Sequence, residues 1–318
     1  MGAGRARRRT GGGRGYLMDL EMADDLSTLL TLERVDRDLF RGRNANYGPR
    51  QSLFGGQVAA QCLLAAAATV EPDRLPHSFH GYFLRAGRVD LPIIFEVDRD
   101  RDGRSFSARH VVAVQDGEVI FSMITSFHVE SGGSVFDEAP RREAPDPELV
   151  PYKAWSTLLE VREVTPTDFL RGVFSDSLWV RSSTKLGDDP LLHRAGLTFL
   201  SDLGTGFGQQ DRSVVGRGGP SIDHAMWFQE DIRADDWVLV DLRPVKARSA
   251  RGAYHGSLRD RHGRLGATLY QEQLLLPGSA ADMVRGEAEL LDQAQADAVT
   301  VVDPEGRRDS LDQHPAGG

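Results

Sequence analysis

The spacing of apolar residues changes period twice along this chain, and the change then repeats. Residues 58–70, VAAQCLLAAAATV, are apolar on nearly every side and predict a helix of about four turns from Gln57 to Val70. A helix without a polar face must be enclosed by protein. Period-two segments follow: HSFHGYFLR (77–85), PIIFEVDRD (92–100), SFSARHVVAVQ (105–115) and EVIFSMITSFHV (118–129). They read as strands, the last two joined by Asp116-Gly117, a two-residue hairpin signal. The order then recurs: SLWVRSS (177–183), a helix from Leu191 to Leu203, and strands within 221–229, 236–245, 249–259 and 264–276. Two short anchors support a duplication. His80 of HSFHGYFL falls under His224 of SIDHAMWF, and Ser107-Ala108-Arg109 recurs as Ser249-Ala250-Arg251.

One helix followed by an antiparallel meander that wraps it is the element order of a hot-dog fold. The pattern predicts an α+β protein with a tandem (double) hot-dog fold, two antiparallel sheets each wrapping a central helix. The predicted division is a disordered basic extension over 1–28, a first unit over 29–130, a linker over 131–150, a second unit over 151–278 and a polar tail over 279–318. The tail allows one short helix around 280–294. Gly, Pro and charge mark the linker, and MGAGRARRRTGGGRG marks the extension, which no apolar signal-peptide core follows.

Composition narrows the partners. A net charge of −9 over 318 residues argues against nucleic acid and anionic membrane as partners. The longest apolar stretch, Val58–Val70, is too short to span a bilayer. The single cysteine, Cys62, excludes an intrachain disulfide and a multi-cysteine metal site, which fits a cytoplasmic protein with neither metal nor cofactor.

Candidate chemistry sits mainly in the second half. Leu191, Ala195, Phe199 and Asp202 fall on one helical stripe, so Asp202 continues a core-facing row, just before Gly204, which reads as a helix C-cap. Burial and the negative end of its helix should both raise its pKa and suit it to general-base work. A carboxylate bonding a nearby turn amide explains the position equally well. Ser221, Asp223 and His224 interrupt the strand SIDHAMWFQ. Alternation places Asp223 and His224 on opposite faces, so they form no dyad, and leaves Asp223 beside Ser221 as a second candidate base. His224 reads as structural, and His77 and His80 are not spaced as strand metal ligands. Gln271 shares a strand face with Leu269, Gln273 and Leu275 and can both donate and accept, though a solvent-facing Gln fits as well. Gly55-Gly56 opens the first helix and reads as room for a crowded entry. Arg85, Arg104, Arg109, Arg248 and Arg251 are candidate phosphate contacts or plain surface arginines.

Taken together, LFRGR, FGGQVAAQ, HSFHGYFLRAG, DGRSFSARHV, SDLG, SIDHAMWF, RSARG and YQE, spread over both halves, resemble the acyl-CoA thioesterase II family of double hot-dog enzymes. The resemblance implies hydrolysis of acyl-CoA to free fatty acid and CoA by an activated water. It places the family's Asp, Thr or Ser, and Gln on Asp202 of SDLG, Ser221 of SIDH and Gln271 of YQE. Thr is the commoner middle residue; Ser221 keeps the hydroxyl and loses the methyl that restrains its rotamer. By analogy with other hot-dog proteins a homo-oligomer is expected. The rival readings are a hot-dog enoyl-CoA hydratase, whose Asp–His loop motif the sequence lacks, and a non-catalytic acyl-CoA binding protein.

Overall fold

The computed structural model describes residues 22–45, 52–134, 136–167 and 173–276. Most of the expected N-terminal extension, and the C-terminal tail in which a short helix was expected, lie outside these residues. Residues 22–28 do not continue a disordered extension. Asp25 caps a one-turn helix, α1 (Leu26–Leu29), by accepting the Thr28 amide at 2.8 Å, and Leu26 and Leu29 are fully buried.

Two short strands, β1 (Glu33–Asp36) and β2 (Leu39–Gly42), lead to the first long helix, α2 (Gly55–Ala67). It starts at Gly55, ahead of the predicted Gln57, and is buried from Gly56 through Ala67, as an all-apolar surface requires. Its two buried glutamines are satisfied by chain in front of the helix: Gln57 bonds Asn44, and Gln61 bonds the carbonyls of Leu29 and Arg43. Four long strands follow: β3 (Arg74–Phe83), β4 (Ile93–Asp102), β5 (Phe106–Gln115) and β6 (Glu118–Val129). The second half begins with β7 (Tyr152–Ser156), β8 (Leu159–Glu163) and β9 (Ser177–Ser182), then α3 (Pro190–Ser201) and the one-turn α4 (Arg212–Val215). It closes with β10 (Arg217–Ser221), β11 (Asp223–Phe228), β12 (Val238–Arg248), β13 (Arg251–Asp260) and β14 (Leu265–Leu276).

All these strands join one antiparallel sheet in the order β1-β2-β4-β5-β6-β3-β11-β14-β13-β12-β9-β8-β7, with β10 added beside β14. The order β4-β5-β6-β3 in the first half is mirrored by β11-β14-β13-β12 in the second. The seam is β3 against β11, paired from Tyr82–Asp223 to Ser78–Trp227. Helices α2 and α3 pack against each other, and a single apolar cluster holds Leu63 and Phe79 of the first half with Phe199 and Met226 of the second. No described helix is long and apolar enough to cross a membrane.

The segment read as a linker is pinned down. Arg142 pairs with the buried Asp241 at 2.5 Å, Asp137 with the buried Arg259 at 2.8 Å, and the Pro145 carbonyl accepts the Trp179 indole at 2.9 Å. Neither sequence anchor survives as a structural equivalence. His80 is exposed on the outer face, edge-on to Trp227, whereas His224 is buried. Ser107-Ala108-Arg109 lies inside β5, whereas Ser249 and Ala250 form the β12–β13 turn with φ of +53° and +57°.

That turn lacks the residues its geometry favours. Asp116-Gly117 makes the β5–β6 turn of the first half with Gly117 at φ +78°, where glycine carries no steric penalty. Ala250 carries one. Replacing Ala250 with Gly should stabilise the protein by about 0.5–1 kcal/mol, net of glycine's greater unfolded-state freedom. Gly117→Ala should destabilise by a similar amount. Thermal melts of both variants check the pair, and the expectation is wrong if both substitutions shift Tm the same way.

Candidate active site

The end of α3 meets the start of α2, and the side chain at the junction is Asp202. It is the C-cap of α3 and part-buried. Across the junction, Phe54 is the N-cap residue of α2 and supplies no side-chain cap. A helix start needs acceptors for its first amides. Asp202 provides one, its Oδ2 accepting the Gly56 amide at 2.9 Å, so a carboxylate of one half caps a helix of the other. The fit leaves no room for side chains. A Cβ on Gly55 would lie 2.6 Å from Asp202 Oδ2, and one on Gly56 would lie 2.5 Å from the Phe199 carbonyl. The two glycines therefore belong to the site, beyond the role of helix entry.

The other carboxylate oxygen, Oδ1, accepts the Gln271 side-chain amide at 3.0 Å. The same amide nitrogen donates to the Ser221 hydroxyl oxygen at 2.5 Å. Both hydrogens of the Gln271 amide are thus committed, one to each partner. Burial pushes the Asp202 carboxyl above the usual carboxylate range. His224 and the hydrogen bonds from Gln271, Gly56 and Ser221 pull the other way, and burial prevails. The dipole of α3 disfavours charge here, as expected, but the start of α2 faces the same carboxylate and opposes it.

The structure brings together the three predicted residues, Asp202, Ser221 and Gln271, and departs from the sequence reading around them. Ser221 ends β10 rather than opening β11. Ser221 pairs with Gln273, whereas from Ala225 onward β11 pairs with β14 one position out of that register. The extra residue acts as a bulge. It turns Ser221 and His224 to the same inner face and turns Asp223 away. The Asp223 carboxylate accepts the Glu272 backbone amide at 2.7 Å and takes no part in the cluster, which removes it as a candidate base. His224, read as structural, is buried within the cluster. Its Nδ1 bonds Gln271 Oε1, and its Nε2 lies 2.8 Å from the Ser201 hydroxyl. Only the register slip places His224 there, and strict alternation hides it.

Aromatic rings wall the junction. Phe54 packs on Phe199 and Trp155 with ring centroids 5.0 and 5.4 Å apart, and Phe83 closes over Gly55. Among the candidate arginines, Arg109 is fully buried and occupied by Thr69 and Asp102, so it is no phosphate contact. Arg85 pairs with Glu118 and Arg251 with Glu272, while Arg104 and Arg248 are exposed.

Comparison with known proteins places the chain in a family. Residues 44–128 match the model of the acyl-CoA thioesterase N-terminal domain, and residues 136–275 match that of the C-terminal domain. Human acyl-coenzyme A thioesterase 8 is 33% identical over 282 residues, which cover 79% of this chain and 88% of that protein. The crystal structure of an acyl-CoA thioesterase II from Mycobacterium marinum superposes with a TM-score of 0.67 at 36% identity, covering 80% of this chain and 98% of the other. A protein from Alicyclobacillus acidocaldarius described as having a hot-dog fold matches at 21% identity, TM-score 0.65, over 80% of this chain and 98% of its own, which shows likeness of fold alone. With both domain models matched in order and a relative matched over most of its length, the chain belongs to the acyl-CoA thioesterase family and is a thioester hydrolase.

Proposed function

We propose that the protein hydrolyses acyl-CoA thioesters with a water activated by Asp202, and that Ser221 and Gln271 hold the reacting groups in place. The observation that carries this reading is the enclosed Asp202 carboxylate, tied through one Gln271 amide to the Ser221 hydroxyl. The carboxylate keeps free lone pairs for a water. It takes a proton from that water as the oxygen attacks the thioester carbonyl carbon. The C–S bond then breaks, CoA leaves as a thiolate that takes up the proton held by Asp202, and the carboxylic acid is released with the base restored. Ser221, whose oxygen is held by Gln271, can turn its one hydrogen from Asp202 to the water when it arrives. Because both Gln271 hydrogens are in use, its part is to hold Asp202 and Ser221 at fixed separation rather than to bind the water itself. The acyl chain would lie against Phe54, Phe83 and Trp155.

The architecture belongs to the same proposal. The mirrored strand orders, each with one long helix, are two hot-dog units, β1 to β6 with α2 and β7 to β14 with α3, whose sheets join at β3 and β11. The site then needs both units, since Gly56 comes from the first and Asp202, Ser221 and Gln271 from the second.

Thiol release from a series of acyl-CoAs tests the activity and separates it from the two rivals, because a hydratase releases no thiol and a binding protein turns nothing over. Asp202→Asn should lose at least about 100-fold in kcat while remaining folded, since an amide cannot accept the proton. Near-full turnover in the folded variant would remove Asp202 as the base.

The raised pKa of Asp202 sets the sign of the pH dependence. The base works when deprotonated, so kcat falls as pH drops through that pKa, with an acid limb above the ordinary aspartate value of 3.8. Ser221→Ala removes a hydrogen bond that favours the charged form, so its limb should move to higher pH. An unmoved limb in a pH–rate profile would separate Ser221 from the base.

Ser221→Thr should preserve or raise kcat, because the branched Cβ restricts the rotamer. Ser221→Ala should lower kcat more than it raises KM. Intact-protein mass spectrometry during turnover should show no mass increase. An acyl adduct on Ser221 would replace the activated water with a covalent route.

A further inference from the structure

We propose that His224 is a positioning residue: it holds the Gln271 side-chain amide in the one orientation that turns both amide hydrogens toward Asp202 and Ser221. The inference rests on the water-activation reading above and adds a fourth residue to it.

The argument starts from the near symmetry of a primary amide. Rotation about its last bond exchanges oxygen and nitrogen with almost no change of shape, so its neighbours must decide the orientation. Gln271 Nε2 has two neighbours, Asp202 Oδ1 at 3.0 Å and Ser221 Oγ at 2.5 Å. An ionised Asp202 accepts only and so fixes the nitrogen on its own side. A base does not stay ionised, however. Once it takes the water's proton, Asp202 can donate, and the flipped amide, oxygen toward the acid, becomes an equally good partner. Ser221 is no better arbiter, because a hydroxyl donates as readily as it accepts. The Asp202 and Ser221 contacts therefore lose their grip on the amide during each turnover.

His224 supplies what is missing. Its Nδ1 bonds Gln271 Oε1. A carbonyl oxygen only accepts, so Nδ1 carries the hydrogen, and a flipped amide would set N–H against N–H. The ring is buried, which holds the imidazole below its ordinary pKa and so in the neutral, one-proton form. Nε2 must then accept, and the Ser201 hydroxyl at 2.8 Å is its donor. That hydroxyl has one hydrogen and a second acceptor in reach, the Thr198 carbonyl at 2.8 Å; the Nδ1–H tautomer assigns the hydrogen to the ring. The resulting relay runs one way, from Ser201 to His224 to Gln271 and on to Asp202 and Ser221. It starts on Ser201 and reaches Asp202, its neighbour in the chain, and Ser201, His224 and Gln271 keep their protons when Asp202 gains one. The tilted Phe79 ring, 5.6 Å from that of His224, and the register slip before β11 hold the imidazole in place.

The test compares two variants on the full-length enzyme with a single acyl-CoA. In His224→Asn the side-chain amide can place its nitrogen near Nδ1 and donate to Gln271, but it can itself turn over, so it restores the bond without fixing its sense. His224→Leu fills similar volume with no donor. Both lose the Ser201 contact, so a purely structural role predicts equal damage. The positioning role predicts that the Leu variant loses about 10- to 100-fold in kcat with little change in KM, the scale of effect that misplaced groups produce. The Asn variant should fall between the Leu variant and the parent, with similar melting temperatures for the two. Imidazole nitrogen NMR of the unmodified protein provides a measurement that needs no variant to fold, and it should show the Nδ1–H tautomer. Equal loss in both variants, full activity in the Leu variant, or the Nε2–H tautomer overturns the proposal. Failure of the parent reading looks different: there Asp202→Asn keeps its rate, whatever His224 does.

Discussion

The bond between the Asp202 carboxylate and the Gly56 amide is the constraint on which the rest of the site depends. It answers two needs with one side chain. Helix α2 begins without a side-chain cap of its own, and the candidate base needs a fixed place in an enclosed setting. The helix start supplies a partial positive charge that lets a carboxylate sit there at all, while burial keeps its proton affinity high. Gly55 and Gly56 follow from this bond, because the approach leaves no space for a Cβ on either residue. Local stability and chemistry thus share the same atoms.

The second organising feature is the register slip between β10 and β11 on β14. A continuous strand would have put Ser221 and Asp223 on one face and His224 on the other. The bulge groups a hydroxyl and an imidazole around Gln271 and leaves Asp223 to satisfy a backbone amide of β14. A change of one residue in pairing decides which of the polar candidates Ser221, Asp223 and His224 face the site.

Much of this was legible in the sequence where the signal is periodic. The buried α2, the succession of long strands after each helix and the core-facing stripe through Asp202 follow from spacing alone. Where the reading failed, a different physical cause lies behind each failure. Bulges leave no mark in composition, so Ser221 was placed on the face of Asp223 instead of that of His224. Identical letters did not mean equivalent places: Ser-Ala-Arg is strand in one half and a turn in the other. Arg109 looked like any surface arginine because nothing local reveals that Thr69 and Asp102 enclose it. One clue went unused. Phe54-Gly55-Gly56 opens a helix with no Ser, Thr, Asp or Asn to cap it, which signals that an acceptor must arrive from elsewhere in the chain.

The distance along the chain between Gly56 and Asp202 has a consequence for synthesis. As the polypeptide leaves the ribosome, α2 is complete long before the residue that caps it exists, and the edge of β3 stays open until β11 is made. Nascent protein therefore passes through a stage with an exposed strand edge and an unfinished helix end, the features that invite misassociation and chaperone attention. Loop closure over so many residues also makes the seam a late event in folding. Catalytic competence and the sealing of the sheet would then arrive together, so that a truncated product is inactive for the same reason that it is sticky.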